Sequence, residues 1–167
     1  MDRQLRKKVS LKKVDHFFAL GFGSGLIPAM PGTFGSLAAI PLLLLLSFVS
    51  TEWYLLVTLI ACIAGVRFCG KTSDALGLHD HGAIVWDEIA GMLVTMLFVP
   101  LVWQNVLIGF ILFRFFDILK PWPISALDRR VHGGTGIMLD DIVAGLIACG
   151  LIHIGFQLEL PLLVNGL

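Results

Sequence analysis

An all-α fold set in a membrane is what this chain predicts, and three observations predict it. Of its 167 residues, 57% are hydrophobic and only 14% charged, far from the balance of a soluble domain. The apolar residues fall in four long runs, at 35–49, 54–68, 89–119 with a break near 100–105, and 142–164. Charged residues gather in the stretches between alternate runs, so one side of the predicted bundle is polar and the other nearly uncharged.

Taken in order, residues 1–20 read as a basic segment, since Arg3, Arg6, Lys7, Lys8, Lys12 and Lys13 supply half of the 12 basic residues. They are not a signal peptide, because Asp15, His16 and a glycine-rich stretch interrupt any apolar run that follows. Pro28, Pro31 and Gly32 punctuate the approach to the first run, where Thr33 or Ser36 can cap a helix. A helix needs about 20 residues to cross a hydrocarbon layer of about 30 Å, and several runs are shorter, which predicts short or tilted helices in hairpins. The hairpins turn at 50–53 and near 103–105, links whose single charge is Glu52. Pro121 and Pro123 stop the fourth helix directly after Lys120.

The links 70–88 and 120–141, with the N-terminal segment, hold nearly all Lys and Arg, which assigns them to the cytoplasm. The expected architecture is a polytopic membrane bundle of two short helical hairpins plus a C-terminal helix, with polar loops on the cytoplasmic side, forming one domain over 1–167. A net charge of zero argues against a nucleic-acid partner, and nothing calls for an obligate protein partner. Cys62, Cys69 and Cys149 are widely spaced among apolar residues and read as buried thiols of a reducing compartment. His16 reads as a loop residue and His153 as helix-embedded.

The acids carry the chemistry. Asp74, Asp80, Asp87, Glu88, Asp117, Asp140 and Asp141 cluster at predicted helix ends on one side. Asp87-Glu88 follows His81-Gly82 and Asp140-Asp141 follows His132-Gly133, and each acidic pair is expected to open an apolar helix. Alone, such a pair gains only about 0.3–1 kcal/mol from the helix dipole. Together, like charges about 4 Å apart repel by about 4 kcal/mol at an effective dielectric of about 20, so a cation belongs between them. Carboxylates without cysteine partners select a hard divalent ion, Mg²⁺ in particular, with Asp87, Glu88, Asp140 and Asp141 as candidate ligands.

Asp117 lies inside an apolar helix, where a charge costs about 2.5–3.5 kcal/mol or more and needs partners. Arg114 and Lys120, three residues to either side, offer a local ion pair or, alternatively, a grip on phosphate. The glycine-rich stretch through Gly32 and Thr33 ends in a helix start, where free N–H groups favour an anion. It matches neither a P-loop nor a dinucleotide-binding pattern. His79-Asp80-His81-Gly82 puts imidazoles and a carboxylate near Asp87, as a general acid or a partner of a metal ligand.

These motifs together resemble the bacterial phosphatidylglycerophosphatase A family. The resemblance spans most of the chain and rests on Gly21-Phe22-Gly23-Ser24-Gly25, Pro31-Gly32-Thr33-Phe34-Gly35-Ser36, His79-Asp80-His81-Gly82 and Val85-Trp86-Asp87-Glu88. It continues in Arg114-Phe115-Phe116-Asp117, Lys120-Pro121-Trp122-Pro123, Asp128-Arg129-Arg130-Val131-His132-Gly133-Gly134 and Asp140-Asp141-Ile142-Val143-Ala144-Gly145. It implies a Mg²⁺-dependent, multi-pass enzyme of the bacterial inner membrane that removes the terminal phosphate of phosphatidylglycerophosphate to leave phosphatidylglycerol. On that expectation Asp80, His81, Asp117 and Lys120 are candidate catalytic residues. Gly32, Thr33, Arg114, Arg129 and Arg130 are candidates for holding phosphate. Attack by water and a covalent aspartyl-phosphate both stay open. A small transporter or channel with acidic ion-binding residues is the alternative, although its path would need polar residues repeated along several spans.

Overall fold

A computed structural model describes residues 3–164, and among these every regular element is helical. Two short helices, α1 (Arg3–Arg6) and α2 (Val14–Ala19), lead through a 3₁₀ turn (Gly21–Leu26) into α3 (Pro31–Leu46) and α4 (Thr51–Leu76). Then come α5 (Trp86–Thr95), α6 (Trp103–Leu119), α7 (Ile124–Arg130), α8 (Gly133–Gln157) and α9 (Pro161–Val164). Helices α4 and α8 are long and apolar enough to cross a membrane. Bare leucine, isoleucine and phenylalanine side chains along the outer faces of α3, α4, α6 and α8 fit that setting.

Helix α5 is the axle of the bundle, packed against α3, α4, α6 and α8. Nine of its ten residues are buried, all but Glu88. Small residues let its neighbours close in. A Cβ on Gly145 of α8 would lie 2.6 Å from the Gly91 carbonyl oxygen, and one on Gly91 would strike the Phe113 ring. The buried polar ends are paired: Trp86 Nε1 donates to the Ala61 carbonyl at 3.0 Å, and Tyr54 OH to the Leu93 carbonyl at 2.7 Å.

Several boundaries differ from those the sequence suggests. Helix α4 runs on from 68 to Leu76, ending where Gly77 turns left-handed (φ 72°) and Lys8 Nζ donates to the Leu76 carbonyl. Helix α8 starts at Gly133 rather than at 142. The glycines there are poor helix formers on their own, but Gly134 lets α8 lie directly on the Val66 carbonyl of α4, and that packing overrides propensity. Helix α8 also ends at Gln157, short of 164. The expected turn at 103–105 is instead 96–102, where Phe98 adopts φ 58° and Asn105 Nδ2 donates to the Pro100 carbonyl. The turn expected at 50–53 lies at 47–50, because Thr51 already begins α4. These two turns line one cavity of about 520 Å³ at the end of α5 away from its acids.

At the N-terminus α2 lies on α4, with Asp15 bridging Arg67 at 3.1 Å and Lys71 at 3.2 Å and Phe18 stacked on Phe68. His16 is a buried residue of α2 and no loop residue, its Nδ1 accepting from the Ser10 amide. His153 sits within α8 as expected, and the three cysteines are unpaired thiols, of which Cys69 is fully buried. Neither Thr33 nor Ser36 caps α3; Met30 holds that position at φ 50°, and Ser36 Oγ donates back to the Gly32 carbonyl.

Candidate active site

A pocket of about 340 Å³ opens where the start of α3, the first turn of α5, the end of α6 and the body of α8 converge. Its walls include Gly32, Thr33, Asp80, Asp87, Glu88, Arg114, Asp117, Lys120, Asp140 and Asp141. Residues far apart in the chain thus share one cleft. The helices set them there: Asp87 and Glu88 occupy the first turn of α5, whereas Asp140 and Asp141 lie about two turns into α8. The helix dipole falls off within the first turn, so it accounts for the first acidic pair and not for the second, which was expected to open its helix.

Asp87, Glu88 and Asp141 each present a carboxylate oxygen within 4.8 Å of the others. Asp87 Oδ1, Glu88 Oε2 and Asp141 Oδ2 are buried and have no hydrogen-bond partner. Three carboxylates this close and this well shielded from water repel one another unless something positive lies between them. Orphaned buried oxygens and mutual repulsion are what a hard divalent cation relieves, and the all-oxygen donor set fits Mg²⁺. Asp140 stands beside this trio. Its Oδ2 accepts from Lys120 Nζ at 2.5 Å, while its Oδ1 is unpartnered.

The cations are held with equal care. Arg114 pairs with Asp117 one turn along α6 and reaches to within 3.8 Å of Glu88 Oε1, leaving its Nε buried and unpartnered. Lys120 does not join them, although its spacing suggested that it would. It ends α6 at φ 41°, a left-handed conformation that turns its side chain toward Asp128, 2.6 Å away, and Asp140. Burial opposes its charge, but the hydrogen bonds from Asp128 and Asp140 outweigh it and lift its pKa above the ordinary lysine value. Met30, Asp80 and Lys120, three non-glycine residues with positive φ, all line this pocket. Strained backbone of this kind collects at functional sites.

Gly32 is fitted to its neighbours, since a Cβ there would run into Glu88 Oε1 and lie 3.1 Å from Arg114 Nη1. Three sequence candidates fall outside the walls. His81 Nδ1 accepts from the Ala83 amide, so its ring shapes the turn before α5. Arg129 and Arg130 are exposed at the end of α7. Asp74, on the exposed side of α4, is not in the pocket either. Conversely, Asp128 as the second partner of Lys120, and Met30 and Ile118 as apolar rim residues, are contributions that spacing along the sequence did not signal.

Known proteins share this chain's pattern along most of its length. The family model for phosphatidylglycerophosphatase A matches residues 17–156. A phosphatidylglycerophosphatase A of Escherichia coli (strain K12) is 48% identical over 149 residues, covering 89% of this chain and 87% of the relative. One of Haemophilus influenzae is 47% identical over 144 residues, covering 85% and 88%. No solved structure matches the chain.

Proposed function

The chain belongs to the phosphatidylglycerophosphatase A family, and from that premise we propose that it hydrolyses the terminal phosphate monoester of phosphatidylglycerophosphate, releasing phosphate and phosphatidylglycerol. The observation that carries this is the trio Asp87, Glu88 and Asp141, three carboxylates converging in one cleft with a buried, unpartnered oxygen on each. A phosphate monoester carries about −1.5 to −2 charge and would be repelled by them bare. Asp87, Glu88 and Asp141 would hold Mg²⁺, which when bound supplies the positive charge that draws in the phosphate and polarises phosphorus.

The rest falls to the chain's own groups. Arg114, its charge already oriented by Asp117, and Lys120, oriented by Asp128 and Asp140, face the phosphoryl oxygens and stabilise the charge that grows on them. The free amides at the start of α3, at Gly32 and Thr33, add dipoles aimed the same way. Water attacks phosphorus as the bond to the glycerol oxygen breaks. Asp117, the better shielded of the two, suits the role of taking the water's proton, and the exposed Asp80 that of returning one to the leaving oxygen.

The membrane reading extends the same way. We place the chain in the bacterial inner membrane as a multi-pass protein of two hairpins, α3 with α4 and α5 with α6, followed by α8. The basic N-terminal segment, the links 77–85 and 120–132 and the acid-bearing ends of the helices face the cytoplasm, in keeping with the bias of Lys and Arg. The test is phosphate release from phosphatidylglycerophosphate by the purified protein in detergent. Activity is expected with Mg²⁺, loss with a chelator, and phosphatidylglycerol as the lipid product. Chelator-resistant turnover would remove the metal from the proposal, and no turnover under any condition would remove the phosphatase.

A further inference from the structure

The acid pocket opens between exposed apolar side chains. Its rim carries Met30, ahead of α3, and Ile118, on α6, which are 68% and 65% exposed. Bare apolar side chains at the mouth of a charged cleft are out of place if that mouth meets only water. They also continue into two stripes. On α6, Leu107, Ile111 and Ile118 share by helical spacing the face of Arg114, and all three are exposed. On α3, Leu37 and Leu44 share the face of the pocket residue Thr33, and both are exposed. The helices are neighbours at the pocket, where Gly32 abuts Arg114.

From this continuity we infer that the seam between α3 and α6 is the binding groove for the acyl chains of the lipid substrate, delivering its phosphate sideways from the membrane into the acid pocket. The inference rests on the phosphatase reading above and adds the path by which its substrate is held. Dimensions agree. Thr33 and Leu44, like Ile118 and Leu107, are eleven residue steps apart, about 16 Å of helix at 1.5 Å per step. One leaflet of a hydrocarbon core about 30 Å thick is about 15 Å deep, so each stripe runs the depth a fatty acyl chain occupies. Chemistry requires such a path, because a phosphate tethered to two acyl chains reaches a buried metal-binding cleft only if those chains stay in hydrocarbon beside it. The opposite cavity, at the turns 47–50 and 96–102, lacks any acid among its walls and offers no phosphate site.

A phosphatidylglycerophosphate analogue with a photoactivatable group on one acyl chain should label peptides of α3 and α6 in the full-length protein, and unlabelled substrate should suppress the labelling. Labelling spread evenly around the bundle, or not suppressed, would overturn the groove. In parallel, Leu37→Trp and Ile111→Trp should lower kcat/KM for the diacyl lipid by about tenfold or more by filling the seam, whereas Leu59→Trp and Ile63→Trp on the outer face of α4 should change it less than about twofold. Equal losses at both faces would also overturn it. Absence of phosphate release from the unaltered chain would instead refute the phosphatase reading, a result distinct from failure of the groove.

Discussion

Lys120 Nζ lies 2.5 Å from Asp140 Oδ2, tying the left-handed end of α6 to the middle of α8 across the candidate active site. Asp140 is almost fully buried and the side chain of Asp128, the second partner of Lys120, is 41% exposed, so the two contacts differ in worth. Lys120→Met strands a buried carboxylate and removes a phosphate-facing charge. It is expected to lower kcat by about 10²-fold and stability by about 1–3 kcal/mol. Asp128→Asn, which removes a solvent-screened contact of about 1 kcal/mol or less, is expected to cost no more than about fivefold. Steady-state kinetics and thermal unfolding in detergent rank the two.

Metal removal should leave a signature in stability as well as in turnover. Asp87, Glu88 and Asp141 bring carboxylate oxygens within 4.8 Å of one another only in the folded chain, so a cation that relieves their repulsion binds the folded state and not the unfolded one. Chelated protein is therefore expected to have a lower Tm, and added Mg²⁺ to restore it in a concentration-dependent way. A scanning-fluorimetry series across a Mg²⁺ titration checks this; a metal-independent Tm would contradict it.

Gly32 and Gly150 make a matched pair. A Cβ at Gly32 collides with Glu88 and crowds Arg114, while one at Gly150 meets nothing within 4 Å. Gly32→Ala is expected to cut activity by tenfold or more, on the order of the loss from about 1.4 kcal/mol of misplacement, with the fold retained. Gly150→Ala, in the interior of α8, is expected to leave activity intact and to raise stability by up to about 1 kcal/mol. Parallel kinetic and melting measurements on the two variants decide it.

Gly145→Val tests the axle. Its added bulk would press on the Gly91 carbonyl and on Val94, forcing α8 off α5. Overpacking of this kind is expected to cost about 1–3 kcal/mol and to loosen the meeting of Asp141 with Asp87 and Glu88, so that the Mg²⁺ concentration for half-maximal activity rises. A lowered Tm with an unshifted Mg²⁺ requirement would show that the α5–α8 contact does not set the site.

The sequence made the apolar helices and the gathering of acids legible, because composition and one-sided charge report on solvent and on repulsion directly. It did not make legible the extension of α8 back to Gly133. Glycine propensity argues against a helix there, and only the Val66 backbone of α4, remote in sequence, explains why one forms. Helical spacing paired Arg114 with Asp117 and would have paired Lys120 as well, but the left-handed residue at the end of α6 redirected Lys120 to α7 and α8. Arg129 and Arg130, expected to help hold phosphate, stay outside the pocket. The direction of a short helix such as α7 decides which of its residues reach a cleft, and spacing does not encode it.

The most direct test of the central claim is phosphate release from phosphatidylglycerophosphate by Asp141→Asn beside the unaltered chain, across a Mg²⁺ titration, with bound metal measured on the same samples. Asp141 lies far from Asp87 and Glu88 in sequence and meets them only in the folded bundle. The account predicts that the variant binds Mg²⁺ more weakly and loses about 10²-fold or more in turnover while keeping its fold. Full turnover with an unchanged Mg²⁺ requirement would contradict it.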